Sequence, residues 1–166
     1  MISISTNIPQ VVDRLKIKLS ALADKDKVMR TVATGMLTAV SLRIHADGVA
    51  TDGGQIGTYS EGYMKVRTGN FRTPEISRGK KKGEVRPRYN RTNDTKVVIS
   101  LTRQMEDDFS IQPTQEGYGL GYNNPDNFKK VAYVEHTYNK KIFALTENEK
   151  KVAVEIALDA VKEIID

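Results

Sequence analysis

Two histidines, one acidic triplet and one glycine-bracketed lysine run are the features of this 166-residue chain whose types and spacing could do chemistry. His136 follows Glu135, but no second histidine stands at a metalloprotease spacing from it. His45 falls near the end of an apolar helical stripe, where the helix dipole modestly favours its cation, so a structural role is expected. Glu106-Asp107-Asp108 offers oxygens to a hard cation. Three consecutive helical residues point in different directions, however, and a solvated face is the better reading. Gly79-Lys80-Lys81-Lys82-Gly83 has the residue types of a phosphate loop, yet it lacks the glycine-lysine-hydroxyl ending and no strand feeds it. No serine sits in a nucleophile elbow. The sequence therefore supplies no catalytic, cofactor-binding or metal-ligating residue, and an enzyme is not expected. The cysteine count is 0, which excludes a disulfide scaffold and thiolate zinc.

Charge is the remaining signal. The net charge is +5, from 26 basic and 21 acidic residues, and it is unevenly placed. Residues 65–91 hold ten cations (Lys65, Arg67, Arg72, Arg78, Lys80, Lys81, Lys82, Arg86, Arg88 and Arg91) against Glu75 and Glu84, a net of +8. The remainder has sixteen cations and nineteen acids, a net of −3. A mildly acidic body thus bears one basic segment suited to an acidic protein surface or a phosphate backbone. Only Phe71 and Tyr89 interleave it, too few for a base-stacking platform. The hydrophobic fraction of 39% leaves part of the chain outside any core. No run approaches the ~18 apolar residues of a membrane span, and Met1–Ser5 has neither region of a signal peptide.

The elements that would position these residues make one domain, 1–166. Met1–Ser5 alternates as a short strand, and Asn7 and Pro9 open a helix with Val11, Val12, Leu15, Leu19 and Leu22 on one face. Val28, Val32, Met36, Val40 and Ile44 stack on a second helix that starts near Asp24 or Asp26 and ends at Gly48. Gly35 interrupts it, a cost that close approach of another backbone could offset. Residues 49–95 show no sustained period and read as an extended basic insertion. Folded back on itself, residues 65–91 would reach ~40 Å, well past a body of ~15 Å radius. Leu101, Met105 and Phe109 mark a short helix. Phe109-Ile111-Pro113 and Tyr118-Leu120-Tyr122 alternate around Gln115-Glu116-Gly117, a hairpin pattern. Pro125 opens a helix through Tyr138. Ile142-Phe143-Ala144-Leu145 docks next, and Thr146 with Glu149 is a capping box. Val154, Leu158, Val161 and Ile165, widened by Val152 and Ile156, form the expected buried face of the last helix. The expected class is α+β: helices packed on a small antiparallel sheet, with a long basic loop insertion.

This order of parts resembles a known family. The Leu101-Thr102-x-x-Met105-x-x-x-Phe109 helix, the glycine-rich hairpin, Tyr133-Val134-Glu135-His136, Ile142-Phe143-x-Leu145-Thr146-x-x-Glu149 and the closing amphipathic helix are similar to those of bacteriophage tail-completion proteins (neck, head–tail joining or virion morphogenesis proteins). Gly53-Gly54-Gln55-Ile56-Gly57-Thr58-Tyr59-Ser60 looks like that family's insertion after the second helix. Where many members carry a glycine and an Arg-Pro pair before the last helix, this chain has Tyr138-Asn139-Lys140-Lys141. The resemblance implies a structural virion protein at the head–tail interface, made in the bacterial host cytoplasm, with no cofactor. It would form a homo-oligomeric ring that joins portal or connector to tail, by repeated heterologous contacts. On that expectation Arg67, Arg72, Arg78, Lys80, Lys81, Lys82, Arg86, Arg88 and Arg91 contact the next ring member or the stacked ring, and the candidate receiving acids are Glu106, Asp107 and Asp108. Charge complementarity of this kind steers assembly and fixes register. The alternative is a nucleic-acid-binding module whose basic arm grips phosphates, with passing contact to phage DNA. A metal-dependent nuclease using the acidic triplet is the remaining reading. No membrane partner is expected.

Overall fold

The four-residue apolar repeat between Val28 and Ile44 folds as helix α1, Lys25–Ser41, continued by a π-helical turn over Leu42–Ala46. The structure, a computed structural model, describes residues 13, 20, 25–86, 89, 91, 93–100 and 102–165. The strand expected at Met1–Ser5 and most of the helix expected over Asn7–Leu22 lie outside the described residues. Ala33, Met36 and Val40 bury on α1, and Ile44 and His45 on the π-helical turn. The wider turn closes through the Asp47 N–H donating to Leu42 C=O at 2.9 Å. Gly48, at φ 60°, then reverses the chain as expected. A Cβ there would stand 2.3 Å from the carbonyl oxygen of Val97, so the turn needs a residue without one.

The insertion is smaller than its composition implied. Residues 49–59 belong to the body: Ala50 is fully buried, Ile56 is 2% exposed and Tyr59 8%. Val49 bridges Gln55, and Thr58 bridges Lys96. Helix α2, Glu61–Thr68, follows. The Ser60 side chain accepts the Tyr63 N–H at its start, and Gly69 at φ 69° ends it. Eight residues are too few for a periodic signal to stand out from a basic, glycine-rich background.

Helix α3, Gln104–Asp108, leads into strands β1, Phe109–Thr114, and β2, Gly117–Tyr122. They pair antiparallel with Phe109 opposite Tyr122, Ile111 opposite Leu120 and Pro113 opposite Tyr118, the alternation read from the sequence. Helix α4, Pro125–Tyr138, is capped by the Asn124 side chain, and helix α5, Glu147–Ile165, closes the fold. Among the described residues the class is α+β: five helices with a two-stranded antiparallel sheet packed on α1, and α5 lying along the same helix. The core joins Val40, Ile44, Ala50, Ile56, Tyr59, Val97, Phe109 and Ile142. No described helix is long and apolar enough to cross a membrane.

The last helix is rotated from its expected setting. Val154 and Leu158 are 59% and 56% exposed, while Ala153, Ile156, Ala157, Ala160 and Val161 are half-buried. Gly35 explains the choice: a Cβ at that position would meet Ile156 Cδ1 at 2.5 Å. The glycine gap on α1 admits Ile156, and the alanines beside it let the helices approach. The close neighbour that offsets the mid-helix glycine is a side chain.

One arginine holds the loop between α4 and α5. Arg43, on the π-helical turn, donates from Nε to Glu149 Oε1 at 2.7 Å and from Nη1 to the carbonyls of Val49 and Ile142 at 3.0 and 2.9 Å. Its Nη2 reaches the Ala144 carbonyl at 2.9 Å. Burial pushes the Glu149 carboxyl up, but the Arg43 hydrogen bond and the Thr146 N–H outweigh it and hold the group below the usual carboxylate range. The capping box forms as expected: the Thr146 N–H donates to Glu149 Oε2 at 2.7 Å, and the Glu149 N–H to Thr146 Oγ1 at 3.0 Å. From α4, Glu135 Oε1 accepts the N–H groups of Ile142 and Phe143 at 2.8 and 3.1 Å. Ile142 is thereby driven fully into the core.

Candidate functional site

What remains of the basic insertion is a hairpin. The Arg86 N–H donates to Pro74 C=O at 2.8 Å, the Ile76 N–H to Glu84 C=O at 2.9 Å and the Gly83 N–H back to Ile76 C=O at 2.9 Å. Gly79 and Gly83, at φ 85° and 88°, make the tip. From Pro74 to Lys80 the arm reaches about 20 Å at about 3.3 Å per residue, half the excursion expected from sequence. Of residues 72–85 only Ile76 is even half-buried, so little but its own backbone bonds orders the hairpin.

Arg72, Arg78, Lys80, Lys81 and Lys82 are exposed there. Among the described residues only Lys81 finds an acid, Glu84 at 4.0 Å, a separation of little energetic weight. Arg86 is half-buried at the base, with its guanidinium 4.9 Å from the Phe71 ring centroid and Nε donating to Glu75 C=O. The Arg91 N–H donates to Arg67 C=O at 3.0 Å, which ties the returning chain to α2. Arg88 lies outside the described residues.

Arg67 corrects the expectation. It is 2% exposed and belongs to the body. Its guanidinium lies 4.4 Å from the Tyr59 ring centroid, and Nη1 donates to Tyr59 Oη at 3.2 Å. Placed on α2, a residue counted with a loop by its charge is turned inward by helix geometry. Asp108 is also committed within the fold. Its Oδ2 accepts the Asn124 N–H at 3.0 Å and Asn127 Nδ2 at 2.9 Å, and those bonds hold its carboxyl below the usual range. Glu106 lies 3.9 Å from Arg103, and Asp107 is exposed. The triplet thus divides by direction, and Glu106 and Asp107 keep surface available to a partner. Among the described residues no group of three or more metal-ligating side chains gathers.

A second feature, with no motif in the sequence, is a half-open groove of about 640 Å³ between α2, residues 97–100 and 102–105, and α4. Tyr59, Tyr63, Tyr133 and Tyr138 line it, with Arg103 and Lys130 among the other walls and no carboxylate. Tyr59 Oη donates to Val98 C=O and accepts the Val98 N–H at 3.1 Å. Burial pushes its phenol up to about 12 against the pull of the Arg67 charge, and burial also raises Tyr63 and Tyr138. All three stay protonated at neutral pH. Lys130 Nζ is held by neutral oxygens, Gln104 Oε1 at 3.0 Å and Asn127 Oδ1 at 2.8 Å. Arg67 Nε, behind Tyr59, is buried and meets no acceptor among the described residues.

No protein-family model, no curated protein and no solved structure matches this chain. The one sequence signal for the groove was the i, i+4 spacing of Tyr59 and Tyr63. Its other wall lies some seventy residues on, and only the fold brings the two together.

Proposed function

We propose that this protein is a structural component of a bacteriophage virion, a neck or tail-completion subunit that self-associates as a ring between portal and tail. The cationic hairpin is its contact with the adjoining subunit. The observation that carries this reading is the tip: Arg78, Lys80 and Lys82 are exposed and form no ion pair among the described residues. A body that buries Arg67 and pairs Arg43 leaves these charges to another molecule. The order of sequence motifs, from the Leu101-Thr102-x-x-Met105-x-x-x-Phe109 pattern to the Thr146–Glu149 box, supplies the virion context. Glu106 and Asp107 are the receiving acids.

The test replaces Glu75–Val85 by two glycines, a change confined to the exposed hairpin. The far-ultraviolet circular dichroism and melting temperature should stay those of the parent. Rings in negative stain, and joining of heads to tails in extracts, should be lost. Joining at parental efficiency by the shortened protein rules the reading out.

The same tip favours phosphate contact as the second reading. Four cations, Arg78, Lys80, Lys81 and Lys82, predict that the logarithm of DNA affinity falls with the logarithm of salt with a slope of about −3.6. Weak, salt-insensitive retention on DNA removes this alternative.

A further inference from the structure

We infer that the tyrosine-lined groove binds an acidic peptide segment: a stretch of a partner chain in which an aspartate or glutamate stands beside a large apolar side chain. Charge argues first. Arg103 and Lys130 line the groove, Arg67 stands behind Tyr59, and no carboxylate is among the lining residues. Lys130 contacts only neutral oxygens. Arg67, almost wholly buried, has no carboxylate within ion-pair distance among the described residues. Arg67 is almost wholly buried and Lys130 half-buried, and cations so placed without a counter-ion are relieved by an incoming anion. Arg103, largely exposed and 3.9 Å from Glu106, adds to the positive field from the solvent side.

Shape and lining argue next. A volume of about 640 Å³ falls within the range of binding sites. Val97, Met105 and Val134 give it an apolar floor, and Tyr133, 72% exposed, stands at the rim as a large unpartnered ring. Five serine and threonine hydroxyls are distributed along three separate chain segments. Such hydroxyls can pair with the N–H and C=O groups of an extended peptide. Tyr59, Tyr63 and Tyr138 remain protonated, so none repels a carboxylate. The site uses different residues from the hairpin and stands or falls without it.

The hairpin tip would itself hold acidic peptides, so the test removes it. The full chain carrying Arg78→Ala, Lys80→Ala, Lys81→Ala and Lys82→Ala is panned with a random dodecapeptide phage library. Selected peptides should carry an aspartate or glutamate within two positions of leucine, isoleucine, phenylalanine or tyrosine. A synthetic, fluorescein-labelled copy of the most enriched peptide should bind by anisotropy. Adding Arg103→Glu or Lys130→Glu should weaken it at least about tenfold each, and Tyr133→Ala about threefold. Arg103 is largely exposed, so its reversal leaves the melting temperature unchanged and separates binding from folding. Changing the peptide's acids to amides should cost a similar tenfold. No enrichment, enrichment of basic or uncharged peptides, or binding indifferent to Arg103→Glu overturns the inference. So does tight binding of 8-anilinonaphthalene-1-sulfonate in the groove with no peptide selected, which would assign it to a small aromatic anion.

Discussion

Replacing Arg43 by methionine strands four acceptors at once. Glu149 Oε1 loses a cation 2.7 Å away, and the carbonyls of Val49, Ile142 and Ala144 lose donors at 3.0, 2.9 and 2.9 Å. The two charged side chains are 11% and 9% exposed, so water does not take the place of either. Breaking a buried pair from one side costs about 3–5 kcal/mol. Counting bonds instead, one charge-assisted bond at about 1.5–3 kcal/mol and three others at about 1 kcal/mol each give about 5 kcal/mol. The two routes meet near 4–5 kcal/mol, a large part of the roughly 5–15 kcal/mol that holds a domain together. The melting temperature should fall by about 10–15 °C. Arg43→Lys, which keeps the charge but loses the fork, should fall between. Urea and thermal unfolding followed by circular dichroism measure both. The pH dependence has a definite sign. Glu149 is depressed in the fold, so its contribution is full above the ordinary carboxylate value of about 4.3 and is lost as pH falls through the folded value. Without Arg43 the buried carboxyl titrates upward, and acid relieves the variant. The gap between parent and variant should therefore begin to narrow above about pH 4.3, as the variant's raised carboxyl takes up its proton, and narrow further below it as the parent loses its own contribution. A loss under about 1 kcal/mol, or a gap that stays constant with pH, refutes the clamp as argued.

Gly48→Ala places a Cβ 2.3 Å from a backbone oxygen at a φ of 60°, and denaturant midpoints should report a loss of about 2–3 kcal/mol. The setting of α5 predicts unequal truncations: Ile156→Ala, emptying the notch over Gly35, costs about 2 kcal/mol, and Leu158→Ala less than about 0.5 kcal/mol. The reverse order would return α5 to the orientation expected from its apolar spacing. Burial lowers the His45 imidazole against the opposing pull of the Ile99 carbonyl and Glu106, so the fold favours the neutral ring. Its contribution is full above the ordinary value of about 6.5 and is lost as pH falls below it. Chemical unfolding between pH 7 and 5 should show this slope in the parent and a flatter one in His45→Gln; equal slopes dismiss the histidine.

Elements whose local signals agree were legible in the sequence. The α1 stripe, the Phe109–Tyr122 hairpin, the Pro125 start of α4 and the Thr146–Glu149 box each combine a period with a cap or turn residue, and each stands where expected. Failures came where the deciding partner is remote in sequence. Val154 and Leu158 are no more apolar than Ile156, and a single glycine on α1 decides which of them turns inward. Residues 49–59 lack a period because three isolated side chains, Ala50, Ile56 and Tyr59, enter the core between turns. Arg67 was grouped with its neighbours by sign, which carries no information about direction.

The arginines show why charge counting could not find the sites. Arg43 and Arg67 are both buried cations, but they are compensated differently. Arg43 satisfies its fork with one carboxylate and three carbonyls and welds four chain segments. Arg67 has a tyrosine face and phenol hydroxyls, with Nε left over among the described residues. A buried guanidinium stacked on a ring gains roughly 2 kcal/mol from that contact, less than a missing counter-ion costs. The difference persists only if the rest of the fold over-determines the position or if an anion completes it. The groove beside Tyr59, lined by two further cations and no acid, is where an anion would enter. The hairpin tip differs again, because its cations remain hydrated and cost nothing to leave unpaired until a partner arrives. Sign alone groups these three settings together. Burial and the completeness of each arginine's or lysine's hydrogen bonding separate a structural clamp, an unfilled site and an open contact surface.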